Sequence, residues 1–143
     1  MSILKLARVP AVTVRPSASI MRAIRIMKRE KVGILFVVED GRLLGAISER
    51  DIMFRVVLRH QDAAKTRVRD AMTSPAISVP TTSTVHDAIH LMMAHRVRRL
   101  AVVGSSSVEG MVSLRHMLRD RATQLGAESD AVLAYCLADG IGG

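Results

Sequence analysis

The chain is predicted to be an α+β protein made of two tandem β-α-β-β-α units with pseudo-twofold symmetry, each unit a small sheet packed on two helices. Three observations predict this. The sequence matches itself, without a gap, when shifted by 65 residues. In each copy one stretch carries apolar residues at helical spacing, and two shorter stretches are rich in β-branched residues. Turn-forming residues separate these stretches at corresponding positions.

The shift places Pro10-Ala11 on Pro75-Ala76, Val12-Thr13-Val14 on Ile77-Ser78-Val79, and Ala23, Ile24 and Met27 on Ala88, Ile89 and Met92. Val32 falls on Val97, Val37-Val38 on Val102-Val103, Gly45 on Gly110, Ser48 on Ser113 and Arg50 on Arg115. Such a repeat is one supersecondary unit used twice. Each copy opens with a short strand, Val12–Val14 or Ile77–Val79. A helix follows, with Ile20, Ala23, Ile24 and Met27 as the inward stripe of the first copy and Val85, Ala88, Ile89 and Met92 as that of the second. Ser19 and Thr84 stand where helix N-caps belong, and Thr84-x-x-Asp87 has the form of a capping box. Leu35–Val38 and Leu100–Val103 read as the next strands. The hairpin turns are Glu39-Asp40-Gly41-Arg42 and Gly104-Ser105-Ser106-Ser107. The last strands end at Gly45-Ala46-Ile47-Ser48 and Gly110-Met111-Val112-Ser113, and final helices start at Glu49 and Leu114. One unit of about 50 residues is marginal alone, so two copies sharing a core are expected. The boundaries are then 1–60 for the first unit, 61–69 for a polar linker, 70–122 for the second unit, and 123–143 for a terminal helix and tail.

Composition bounds the function. The chain is 49% apolar, which suffices for a core, and no apolar run approaches the roughly 20 residues of a membrane helix. Its one cysteine, Cys136, excludes an internal disulfide and fits a reducing, cytoplasmic setting. A net charge of +8 favours anionic partners. With Phe36, Phe54 and Tyr135 its only aromatic residues, the chain is poorly equipped to stack single-stranded bases.

The pattern with chemistry in it is Gly-x-x-Ser-x-x-(Asp or His) at a strand-to-helix junction: Gly45…Ser48…Asp51, then Gly110…Ser113…His116. A helix start offers free N–H groups and a positive dipole end to phosphate. Ser48 adds a hydroxyl, Gly45 permits close backbone approach, and Asp51 can accept hydrogen bonds from two adjacent ribose hydroxyls. Ser48-x-x-Asp51 is equally a capping box that needs no ligand, and the two roles are compatible. In the second copy His116 removes the acidic partner and the ribose acceptor together. The run Arg96-Val97-Arg98-Arg99 reads as a phosphate contact, a helix C-cap or a solvated face.

This duplicated unit, its Gly-x-hydrophobic-Ser-x-x-Asp ending and the lead-in Val68-Arg69-Asp70-Ala71-Met72-Thr73 resemble the tandem CBS-domain pair, named after cystathionine β-synthase, over about residues 3 to 120. The resemblance implies a module that is not an enzyme, binds AMP, ADP or ATP (less often NAD or S-adenosylmethionine) between its units, forms a homodimer and reports to a protein effector. It implies that Asp51 holds the ribose and Ser48 the phosphate or ribose. Ala46 and Ile34 would flank the base, Ile77 and Val97 would reach it from the second copy, and Arg98 and Arg99 would meet phosphate. A second, weak or empty site is implied at Val12, Val32, Ser113 and His116.

Other constellations read as structural. His86 and His90 are one helical turn apart, but no third metal ligand is evident, so no metal and no cofactor are expected. Met27, Met53, Met92 and Met117 are expected in the core, Cys136 as a buried thiol, and the apolar run Ala131–Ala138 as a helix at a homodimer contact. Two rival functions remain. One is a basic nucleic-acid-binding module using Arg96, Arg98, Arg99, Arg115, Arg119 and Arg121; the other is a ligand-free dimerisation scaffold.

Overall fold

The repeat extends to the hydrogen-bond register of the backbone. Strand β1 (Thr13–Val14) runs parallel to β2 (Ile34–Glu39), with Thr13 opposite Phe36 and Val14 opposite Val37. Strand β4 (Ser78–Pro80) runs parallel to β5 (Arg99–Val103), with Ser78 opposite Ala101 and Val79 opposite Val102. Each residue of the second set lies 65 positions after its counterpart. Strands β3 (Arg42–Ser48) and β6 (Val108–Ser113) complete two three-stranded sheets, ordered β1-β2-β3 and β4-β5-β6. The computed structural model describes residues 2–124. The expected terminal helix with Tyr135 and Cys136 lies outside the described residues.

Local chemistry sets the element ends. Helix α1 (Ile20–Glu30) is capped by Ser19, whose hydroxyl accepts from the Arg22 N–H, and α4 (Val85–His95) by Thr84, which accepts from the Asp87 N–H. Both helices end on a left-handed residue, Lys31 (φ 57°) and Arg96 (φ 54°), again 65 apart. The β2–β3 hairpin turns on Asp40 and Gly41, both at positive φ, which matches the twist of the strands it joins. A bulge leaves Leu44 outside the ladder, and the Ser74 hydroxyl donates to its carbonyl at 2.7 Å. Helix α2 (Glu49–Ile52) continues into a π-type turn over Met53–Val57, and α5 (Leu114–Gln124) is its counterpart.

The core of the first copy includes Ile20, Ala23, Met27, Leu35, Phe36, Val37 and Ile47; that of the second includes Ala88, Met92, Leu100, Ala101, Val102, Leu114 and Met117. Two expectations are corrected. Ile24 is 37% exposed, and Ile26, on the other flank of the same stripe, is buried instead. Met53 is 55% exposed, because the buried side of its segment is formed by Ile52 and Val56.

The 61–69 connection is built into the fold. Its carbonyls at Ala63 and Thr66 accept from the N–H groups of Met21 and Ile20, satisfying donors that the start of α1 leaves unpaired. Val68, which opens the short helix α3 (Val68–Ala71), is fully buried.

Two compact units are present, offset from the sequence repeats. Among the described residues, one holds Ala11–Ile77 with Ser105–Val108; the other holds residues 2–10, Ser78–Gly104 and residues 109–124. Each lead-in therefore joins the sheet of the other repeat. Thr73 and Ala46 exchange two backbone hydrogen bonds (2.8 and 2.9 Å), as do Arg8 and Met111 (2.8 and 3.0 Å). Val9-Pro10 and Ser74-Pro75, beside these bridges, are both cis.

Candidate ligand site

The expected site residues fall in both units. Ile34, Ala46, Ser48, Asp51 and Ile77 lie in the Ala11–Ile77 unit, as do Val12 and Val32; Val97, Arg98, Arg99, Ser113 and His116 lie in the other.

In the first of these units, sheet register brings three of the residues together. Ile34 is opposite Ser48 and Phe36 opposite Ala46, so Ile34, Ala46 and Ser48 share one face at the end of β3 where α2 begins. The Glu49 N–H donates to the Gly33 carbonyl, holding the helix start against β2. Ser48 and Asp51 form the complete capping box. The Asp51 N–H donates to Ser48 Oγ at 3.1 Å, and the Ser48 N–H donates to Asp51 Oδ2 at 3.0 Å.

Asp51 has further partners. The Thr73 hydroxyl donates to Asp51 Oδ1 at 3.1 Å, and Arg55 Nη1 lies 3.6 Å from the same oxygen. Arg55 also donates to the carbonyls of Ala71 (3.0 Å) and Met72 (2.8 Å) and to Thr73 Oγ1 (3.3 Å). The Asp51 side chain is only 14% exposed. A carboxylate offers about four acceptor positions, and two are filled by hydrogen bonds within the protein. The remaining capacity suits a pair of hydroxyl donors.

Thr73 and Arg55, the partners of Asp51, are absent from the sequence-derived set of site residues. Arg55 was open to detection, since an acid and a base four apart on a helix are neighbours. Thr73 was not: the lead-in contains it, but nothing local ties it to a carboxylate 22 residues earlier.

The role expected for Gly45 is different in the structure. A Cβ there would meet the main chain of Thr73, so the close approach it permits is by the lead-in strand. Gly110 stands likewise against Arg8 and Val9.

In the other unit, the Leu114 N–H donates to the Arg98 carbonyl at 2.8 Å, repeating the Glu49–Gly33 bond and setting Arg98 beside the start of α5. Arg98 is exposed and Arg99 half-buried. Burial, reinforced by the neighbouring Arg98 charge, lowers the Arg99 guanidinium from its ordinary value. Two cations side by side favour an anion nearby. Ser113 Oγ accepts from the His116 N–H at 3.1 Å, so this copy keeps the cap but has no carboxylate at the third helical position. Val12 and Val32 are buried, whereas His116 is exposed.

Elsewhere on the Ala11–Ile77 unit is an open concavity of about 810 Å³ lined by Thr13, Arg15, Ser17, Arg22, Asp40 and Gly41 among others; no expected site residue borders it. The His86 and His90 rings stack at 6.2 Å, and no group of three or more metal-ligating side chains occurs among the described residues. No helix among them is long and apolar enough to cross a membrane.

Comparison with known proteins agrees with this architecture. The family model described as "CBS domain" matches residues 4–58 and again 68–122. The CBS domain-containing protein YhcV of Bacillus subtilis is 35% identical over 102 residues, 71% of this chain and 72% of that one. The chain spans about 60% of some other curated relatives. Inosine-5'-monophosphate dehydrogenase of Halobacterium salinarum is 31% identical over 77% of this chain, but the match takes up only 22% of the dehydrogenase. Among solved structures, the CBS domain protein PAE2072 of Pyrobaculum aerophilum, complexed with AMP, superposes with a TM-score of 0.77 at 27% identity, covering 88% of this chain and 97% of that one.

Proposed function

The chain belongs to the CBS-domain family, and from that premise we propose that it binds an adenine nucleotide (AMP, ADP or ATP) through Asp51 and signals its presence to a partner protein, without catalysing a reaction itself. The observation that carries this reading is the Asp51 carboxylate, held by the Ser48 N–H, the Thr73 hydroxyl and Arg55 with acceptor capacity left over. Ser48, Ala46 and Ile34, grouped at the same end of the sheet, would take the phosphate or ribose and flank the base. Ile77, in the same unit, would also contact the base. The AMP complex of PAE2072 supports adenine as the base. The dehydrogenase match supports a regulatory role, because the matching part is a small fraction of that enzyme. The lone cysteine supports a reducing, cytoplasmic setting.

A thermal-shift panel of AMP, ADP, ATP, NAD and S-adenosylmethionine on wild type and Asp51→Ala tests the reading. Ligand at about 100 times its dissociation constant stabilises the folded state by about 2.7 kcal/mol. A shift with one adenine compound that vanishes in Asp51→Ala is expected. No shift with any compound would leave the scaffold reading.

Arg96, Arg98, Arg115 and Arg119 are exposed, which keeps nucleic-acid binding as a second reading. That mode predicts affinity falling steeply with salt and indifferent to Asp51.

The homodimer is supported by one apolar face. Met53, Phe54, Val57 and Leu58 are 49–68% exposed on a single helical segment. The corresponding positions of the second copy are Leu118, Arg119, Ala122 and Thr123, so only the first copy carries this face. We place the contact with a second copy of the chain there.

A further inference from the structure

The lead-in bridge forms in both repeats, but different side chains stand beside it. In the first, Arg55 donates to three acceptors on Ala71, Met72 and Thr73 while standing 3.6 Å from Asp51, and Thr73 donates to Asp51. In the second, the positions of Asp51, Arg55 and Thr73 are held by His116, Asp120 and Arg8. A carboxylate at Asp120 has no proton to donate to lead-in carbonyls. Yet Arg8 and Met111 still exchange both backbone hydrogen bonds. The backbone bridge therefore forms with a different residue set in each repeat, and the Arg55–Thr73 pair accompanies the helix start that carries a carboxylate.

We propose that Arg55 is a positioning residue that couples Asp51 to the lead-in of the second repeat. This rests on the nucleotide reading of Asp51. One guanidinium fixes the end of α3 and Thr73, and Thr73 in turn orients the Asp51 carboxylate. Hydroxyls of a ligand arriving at Asp51 load an acceptor shared with Thr73. The chain runs from Thr73 through Ser74-Pro75-Ala76-Ile77 directly into β4, so a change in how firmly Thr73 is held is passed covalently to the second sheet. The lead-in is thus the route by which occupancy at Asp51 reaches the rest of the molecule.

The test pairs nucleotide titration with amide hydrogen exchange at Ala46 and Thr73, using wild type, Arg55→Met, Arg55→Lys, Thr73→Val and Asp51→Ala. Without ligand, Arg55→Met is expected to speed exchange at both amides severalfold while leaving Arg8 and Met111 unchanged. With the adenine compound that best stabilises wild type, bound exchange at Ala46 and Thr73 is expected to slow in wild type. Arg55→Met should lose about tenfold in affinity and most of that slowing, with Arg55→Lys in between and Thr73→Val close to Arg55→Met. Unchanged affinity and unchanged slowing in Arg55→Met, with Asp51→Ala still defective, would overturn the coupling and leave the nucleotide site standing. Absence of binding by wild type would remove both.

Discussion

Gly45 lies against the main chain of Thr73: a Cβ placed on Gly45 would stand 2.5 Å from the Thr73 carbonyl oxygen. At the matching point of the second repeat, a Cβ on Gly110 would stand 3.0 Å from the Arg8 carbonyl oxygen. Both glycines of the repeated Gly-x-x-Ser pattern thus make room for a crossing strand. Gly45→Ala is expected to destabilise by about 1–3 kcal/mol through overpacking against backbone that cannot turn aside. Gly110→Ala is expected to cost less. Chemical denaturation of the two variants checks both the sign and the order.

Asp51→Asn separates the cap from the ligand site. The amide oxygen can still accept from the Ser48 N–H, so helix α2 should lose little, whereas Asp51→Ala keeps the Ser48 Oγ cap but loses the reciprocal half of the box and the Thr73 bond, and should be the less stable of the two. A hydrogen bond to a charged acceptor contributes about 1.5–3 kcal/mol, which is tenfold or more in affinity. Both variants should therefore bind nucleotide at least tenfold more weakly than wild type, by calorimetry. Equal binding by Asp51→Asn would show that the charge is irrelevant.

His116→Asp restores the acid of the pattern in the second repeat. Ser113 already accepts from the N–H at position 116, so the substitution adds the reciprocal half of a capping box and should stabilise by about 0.5–1 kcal/mol. Nucleotide stoichiometry is expected to rise from one towards two per chain. Calorimetry giving two equal sites for wild type would contradict the inequality on which this expectation rests.

Val57→Asp puts a charge in the middle of the exposed apolar face, where Val57 is 64% exposed. The folded chain should lose little stability, since surface substitutions change it by about 0.5 kcal/mol or less. The solution mass, measured by light scattering, should fall from dimer to monomer. A wild-type chain that is monomeric at every concentration would remove the predicted interface.

Features whose physics is local are legible in the sequence. The 65-residue shift predicted two like units, and the strand pairings follow it residue for residue. Ser19, Ser48 and Thr84 cap helices because a hydroxyl needs only the N–H three residues on. Ile24 and Met53 were misjudged because helical spacing identifies a stripe, and only the docked surface decides which edge of the stripe is covered.

By itself, the sequence determined the duplicated unit, the order of its elements, its caps, and the difference between an acidic and a histidine-bearing helix start. These depend on spacings of a few residues or on an offset that self-comparison reveals. Tertiary structure alone decided that each lead-in joins the sheet of the other repeat, that the repeated glycines face a strand, and that Thr73 and Arg55 close on Asp51. The reason is that a contact between Asp51 and Thr73 spans 22 residues and depends on where the chain crosses, and no periodicity in the sequence encodes that crossing.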